Sequence, residues 1–143
     1  MQTEPAKQPT RRSPPELESE RRLREAPKSL VLIIDDDEGI RTALAELLEL
    51  SGYRVAVAAD GQEGLELLAV GLEPNAIVLD LMMPRMDGWT FLSHLRADPK
   101  FHDVPVVVTS AVASEGPADA DVCLQKPFDL VRLDREVARL CAH

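Results

Sequence analysis

The sequence predicts a doubly wound α/β fold, and three observations predict it. Short, wholly apolar segments alternate with segments whose apolar residues recur at helical spacing. The apolar segments lack the polar–apolar alternation of strands covered on one face, so they belong to a parallel sheet packed on both sides. Polar and charged residues collect just past the ends of those segments.

In chain order, Leu30–Ile34 is the first strand. Ile40, Ala43, Leu44, Leu47 and Leu48 then mark a helix that Ser51-Gly52 ends. Tyr53–Ala58 reads as the second strand and Gly61–Val70 as a helix with Leu65 and Leu68 inward. Asn75–Leu79 is a buried third strand, and Trp89, Leu92 and Leu95 mark a helix from about Asp87 to Ala97. Val104–Val108 is a β-branched fourth strand, Val122–Gln125 a weaker fifth, and Leu130–Leu140 a last amphipathic helix. Five strands and five helical slots result. The fourth slot is poorly filled, because Gly116-Pro117 interrupts it, and proline in a helix interior costs ~3 kcal/mol. A shortened or irregular fourth helix is expected there.

The chain has 143 residues, 45% of them hydrophobic, enough for one domain with a core and a tail. No apolar run is long enough to span a bilayer or to serve as a secretory signal, so no membrane insertion is expected. Cys123 and Cys141 lack metal-ligand spacing, which suits a cytoplasmic protein with reduced thiols. The formal net charge is −9, and five aromatics (Tyr53, Trp89, Phe91, Phe101, Phe128) are scattered through the chain. Both facts argue against a nucleic-acid surface, which needs a basic footprint and stacking platforms.

The charge is unevenly divided. Residues 1–29 carry seven basic and five acidic groups, whereas 30–143 carry nine and twenty, or −11. Residues 1–29 are therefore expected to be a flexible, charged, Pro-rich tail, and 30–143 the folded domain. The spacing of the tail's polar residues predicts one short helix over 14–26. Ser13 to Glu16 has capping-box spacing, and Glu18/Arg22 and Glu20/Arg24 pair four apart.

The acids at strand ends carry the chemistry. Asp35-Asp36-Asp37-Glu38 follows the first strand, Asp80 the third, Thr109 the fourth and Lys126-Pro127 the fifth. In the flavodoxin-like strand order 2-1-3-4-5, ligands bind beyond the carboxyl ends at the switch point, where Asp35, Asp36, Asp80 and Thr109 converge beside Lys126. Two unit charges about 5 Å apart at an effective dielectric near 20 repel by roughly 3 kcal/mol. Such a cluster needs raised pKa values or a bound cation, and oxygen ligands of this kind suit Mg²⁺. Asp37 and Glu38 are explained equally well as acids in a helix's first turn, where they complement its dipole.

These motifs resemble the receiver domain of bacterial two-component response regulators. Leu32-Ile33-Ile34-Asp35-Asp36-Asp37-Glu38 is similar to that family's acidic opening, and Ile77 through Gly88 to its phosphoacceptor strand and loop. Val106-Val107-Val108-Thr109-Ser110 and Lys126-Pro127-Phe128 match the two remaining signatures. The resemblance implies Asp80 as the nucleophile, phosphorylated by a sensor histidine kinase or phosphotransfer protein. It implies Mg²⁺ held by Asp36, Asp80 and the Met82 carbonyl, with Asp35 acting through water. Lys126 and Thr109 would contact the phosphoryl oxygens. A stand-alone receiver signalling through an unidentified output partner is expected. It would be no enzyme in the ordinary sense, though it assists its own phosphorylation and dephosphorylation.

Two departures bear on the readout. Cys123 stands where the family usually has an aromatic residue, and the interval from Thr109 to Lys126 is shorter than usual. Both imply an altered threonine–aromatic switch. Cys123 itself reads as a small buried strand filler, and Trp89 as packing. Three other functions compete. A haloacid-dehalogenase-type phosphatase needs a second acid where Met82 stands. A dinucleotide site needs G-x-G-x-x-G where the sequence has Asp35 to Gly39. A receiver fold kept as a non-phosphorylated scaffold has no evident need for Asp80, Lys126 and Thr109 together.

Overall fold

A computed structural model describes residues 14–15, 28–111, 117 and 119–142. It contains β1 (Leu30–Ile34), α1 (Glu38–Leu50), β2 (Arg54–Ala58), α2 (Gly61–Ala69), β3 (Ala76–Asp80), α3 (Gly88–Ala97), β4 (Val106–Ser110), β5 (Val122–Gln125) and α4 (Leu130–Cys141). The five strands form one parallel sheet in the order β2-β1-β3-β4-β5, the expected doubly wound arrangement.

The pleat sorts the apolar strands onto two cores. Leu32, Ile34, Ile77, Leu79, Val106 and Val108 pack with Leu68, Phe91, Leu92 and Leu95, beneath α2 and α3. Val31, Ile33, Val78, Val107 and Leu124 pack with Leu44, Leu48, Leu133, Val137 and Leu140, beneath α1 and α4. Consecutive residues of β1 thus serve opposite faces, and for that reason the strand is apolar throughout.

Each helix starts on an aspartate whose Oδ1 accepts a backbone N–H of the first turn. Asp37 accepts from Ile40 (3.0 Å), Asp60 from Glu63 (2.9 Å), Asp87 from Thr90 (2.8 Å) and Asp129 from Val131 (2.9 Å). Such caps contribute about 1 kcal/mol each. Four of the domain's acids are therefore accounted for by helix starts.

Several boundaries differ from the sequence expectation. β4 runs Val106–Ser110, two residues later than Val104–Val108, because Pro105 has no N–H for the ladder and Val104 closes a turn onto the Phe101 carbonyl at 3.1 Å. Asp80 and Thr109 consequently end β3 and lie within β4, respectively. Trp89 is no core residue: it is 43% exposed, while Phe91 takes the inward position. Cys123 is exposed too, because it lies on the edge strand β5 and alternates with inward Leu124. No helix is described between β4 and β5, but most of that stretch (112–116 and 118) lies outside the described residues, as does most of the helix expected over 14–26. Pro14 and Pro15 are helical and exposed. No helix of the described residues is long and apolar enough to cross a membrane.

Candidate functional site

The site grows from the register of the sheet. Ile34 pairs with Leu79, so the next residues, Asp35 and Asp80, leave neighbouring strands side by side. Asp80 pairs with Thr109, and Ser110 with Gln125, which places Lys126 just past the end of β5 on the same rim. Backbone bonds hold this alignment. Leu81 N donates to the Thr109 carbonyl at 3.1 Å, and Lys126 N to the Ser110 carbonyl at 2.6 Å.

Oxygens of Asp35, Asp36 and Asp80 all lie within 4.8 Å of one another. Asp35 is 2% exposed and Asp80 3%, whereas Asp36 is open to solvent. Lys126 Nζ reaches Asp35 Oδ2 at 3.1 Å and Asp80 Oδ1 at 3.4 Å. The other Asp35 oxygen accepts from Asp37 N (2.8 Å), and Arg41 Nη1 donates to the Asp35 carbonyl (2.8 Å). Met82 N donates to Asp80 Oδ1 at 3.3 Å, so the loop after β3 folds back over the carboxylate. Thr109 is buried beside Asp80 at 1% exposure.

The electrostatics follow from this crowding. Burial first, and then the Asp35 carboxylate, push the Asp80 carboxyl up to about 6. Lys126 and the Met82 N–H pull it back down only partly. Burial alone would lower Lys126, but the hydrogen bond and charge of Asp35, joined by the charge of Asp80, raise it above the ordinary lysine value. Three carboxylates around one ammonium remain under-neutralised. An all-oxygen, partly open donor set of this kind fits a small hard dication that keeps some of its waters.

A cleft of about 420 Å³ opens beside Asp36, lined by Asp36, Met82, Met83, Pro84, Asp87 and Trp89. Met82 and Trp89 are 53% and 43% exposed, a pairing that the sequence did not reveal. On the far side of the β3–α3 loop, Arg85 pairs with Asp60 at 2.6 Å, a contact between residues far apart in the chain that no local motif signals. All the sequence-proposed residues, Asp35, Asp36, Asp80, Met82, Thr109 and Lys126, come together at one rim.

The fold and this rim define a flavodoxin-like module whose switch point presents a buried aspartate in an acidic, cation-ready pocket. Residues 31–138 match the model of the response regulator receiver domain, and the chain belongs to that family. It is 40% identical over 116 residues to the DNA-binding dual master transcriptional regulator RpaA of Synechocystis sp., covering 77% of this chain and 48% of that protein. The chain thus spans about half the length of this relative. Among solved structures it is similar to the receiver domain of Francisella response regulator 1452, with TM-score 0.74 and 32% identity over 80% of this chain and 98% of that one. It is also similar to the receiver domain of sensor histidine kinase PA1611 from Pseudomonas aeruginosa, whose active site cleft coordinates magnesium. That match has TM-score 0.73 and 26% identity over 81% of this chain and 99% of that one.

Proposed function

We propose that the receiver domain, taken as 30–143, accepts a phosphoryl group on Asp80 from a histidine kinase or phosphotransfer protein. The observation that carries this is the placement of Asp80, buried at the end of β3 with Asp35, Asp36 and Lys126 around it. An Asp80 oxygen attacks the phosphorus of a donor phosphohistidine; the P–N bond breaks, the imidazole leaves and an acyl phosphate forms on Asp80. Phosphoryl transfer asks mainly for positioning and charge neutralisation, which this rim supplies. Asp36, Asp80 and the Met82 carbonyl would hold Mg²⁺, with Asp35 acting through water. Bound there, the ion supplies positive charge to the incoming phosphoryl oxygens. Lys126 meets those oxygens from the other side, and the Thr109 hydroxyl bonds one of them afterwards.

The output is a change in partner binding, by a route altered where Cys123 replaces an aromatic residue. We place the protein in the cytoplasm, where its donor's phosphohistidine would be found. The test is incubation with Mg²⁺ and a small phosphodonor, followed by intact mass. One phosphoryl adduct is expected, absent with a chelator and absent in Asp80→Asn. An adduct that survives Asp80→Asn places the acceptor elsewhere. None from either a small donor or a kinase leaves a receiver-fold scaffold.

A further inference from the structure

The β3–α3 loop approaches the pocket at Met82, yet it is fastened at the opposite side. At its base, Gly88 N donates to the Leu81 carbonyl at 2.9 Å, and a Cβ at Gly88 would stand 2.6 Å from the Asp80 carbonyl. At its crown, Arg85 Nε and Nη2 both lie 2.6 Å from Asp60 Oδ2. Asp60 is itself 5% exposed and anchored, since its other oxygen caps α2. The neighbouring Gly61 N donates to the Met86 carbonyl at 3.3 Å, and a Cβ at Gly61 would meet Met86 Cγ at 2.9 Å. The α2 corner and the loop crown are thus in direct contact.

Arg85 also occupies the left-handed region, with φ of 64°. A non-glycine residue there is strained and persists only where its surroundings fix it. Met86 N donates to the Pro84 carbonyl at 2.7 Å and closes a tight turn on Arg85, and the side chain's bond to Asp60 ties that turn to the α2 corner. Met82 meets the pocket through its N–H, which donates to Asp80 at 3.3 Å. The base bonds at Leu81 and the crown contact at Asp60 together bracket the stretch of loop that carries the Met82 carbonyl.

We infer that Asp60 and Arg85 are a positioning pair that fixes the β3–α3 loop and thereby sets the affinity of the acidic pocket for a divalent cation. This rests on the proposal that Asp36, Asp80 and the Met82 carbonyl hold Mg²⁺. Neither residue touches the cation; each acts through the backbone of the loop.

The experiment is Mg²⁺ titration of the full chain. It is followed by fluorescence of Trp89, which lines the same cleft as Asp36 and Met82, and by calorimetry. Asp60→Asn keeps a cap-competent oxygen, so α2 stays started while the ion pair is lost. Arg85→Gln and Asp60→Asn should each weaken Mg²⁺ binding roughly three- to tenfold, below the roughly 10–100-fold typical of direct outer partners of metal ligands because the pair acts through the loop backbone. The double variant should be no worse than the weaker single, and Arg85→Lys should recover part of the loss. At saturating Mg²⁺ the extent of phosphorylation should return to that of the parent. Parent-like Mg²⁺ affinity in both singles, even with lowered melting temperatures, would overturn the pair's role and leave the metal site standing. A parent chain that binds no Mg²⁺ would overturn both.

Discussion

The two ends of the sheet use polar groups in opposite ways. At the amino end they are matched. Leu30 N donates to Asn75 Oδ1 (2.8 Å), Val106 N to Asp121 Oδ2 (2.8 Å), and Arg96 bonds the carbonyls of His102, Val104 and Asp119 while pairing with Asp121 (3.2 Å). At the carboxyl end Asp35, Asp36 and Asp80 crowd around Lys126. Polar groups at one end close strand termini; at the other, three carboxylates share one ammonium.

The contrast is sharpest between two aspartates of similar exposure. Asp60 and Asp80 are 5% and 3% exposed. Burial pushes both carboxyls up. At Asp60 the backbone N–H groups of Glu63 and Gln62 and the Arg85 guanidinium reverse that, and its pKa ends below the ordinary value. At Asp80 the neighbouring Asp35 adds to burial, and the value ends at about 6. Similar exposure, opposite outcome: Asp80 lies deeper and faces another carboxylate, whereas Asp60 faces N–H donors and a guanidinium.

Removing the cation of the carboxyl end should break this contrast most. Lys126→Met leaves Asp35 and Asp80 facing each other without a countercharge, and loss of one partner of a buried pair costs about 3 kcal/mol. Because Lys126 is raised above the ordinary lysine value, its contribution is fully present below that value and is lost only as strongly alkaline pH titrates it. The loss should therefore appear in urea unfolding at pH 7 and shrink when millimolar Mg²⁺ is added. An unchanged midpoint without Mg²⁺ would mean the two carboxylates are not in conflict.

The next largest effect belongs to Asp80 and has a definite sign. Its native pKa of about 6 exceeds the unfolded value, so the native state holds the proton more tightly and stability falls as pH rises from about 4 to about 6. Above that window the metal-free protein carries the full penalty, of the order of 3 kcal/mol. Asp80→Asn should therefore be the more stable protein at pH 7.5 and similar to the parent near pH 4. A stability gap that does not change with pH would show that the asparagine acts by some route other than charge.

The strands, their order and the pocket were legible because each rests on a short-range pattern. An apolar pentad such as Leu30–Ile34 needs two covered faces, and an acid directly after it has no place in the core. What escaped depends on where the sheet stops. Trp89 shares helical spacing with Leu92 and Leu95, but it stands in the first turn of α3, facing the cleft with Met82. Cys123 sits in an apolar strand, but the strand is an edge. Arg85 with Asp60, and Arg96 with Asp121, join residues from separate elements, and pairing at such distance leaves no periodic trace.

Arg96 gives the smallest effect and tests whether the two ends are independent. It leaves the last turn of α3 and gathers the α3–β4 turn and the approach to β5 at one guanidinium. Several of those carbonyls are at the surface, so water replaces much of what is lost. Arg96→Ala should cost about 1–2 kcal/mol, mainly through the part-buried Val104 carbonyl and the Asp121 carboxylate left behind. Asp121 still accepts from Val106 N, which keeps β4 started. If the amino end serves only to close the sheet, this loss should come with Mg²⁺ affinity and phosphorylation of Asp80 unchanged. A weakened Mg²⁺ affinity at intact fold would mean that strain at the base of β4 and β5 reaches Thr109 and Lys126 along the strands that carry them. The sheet would then be a lever between its two ends, with Arg96 as its fixed point.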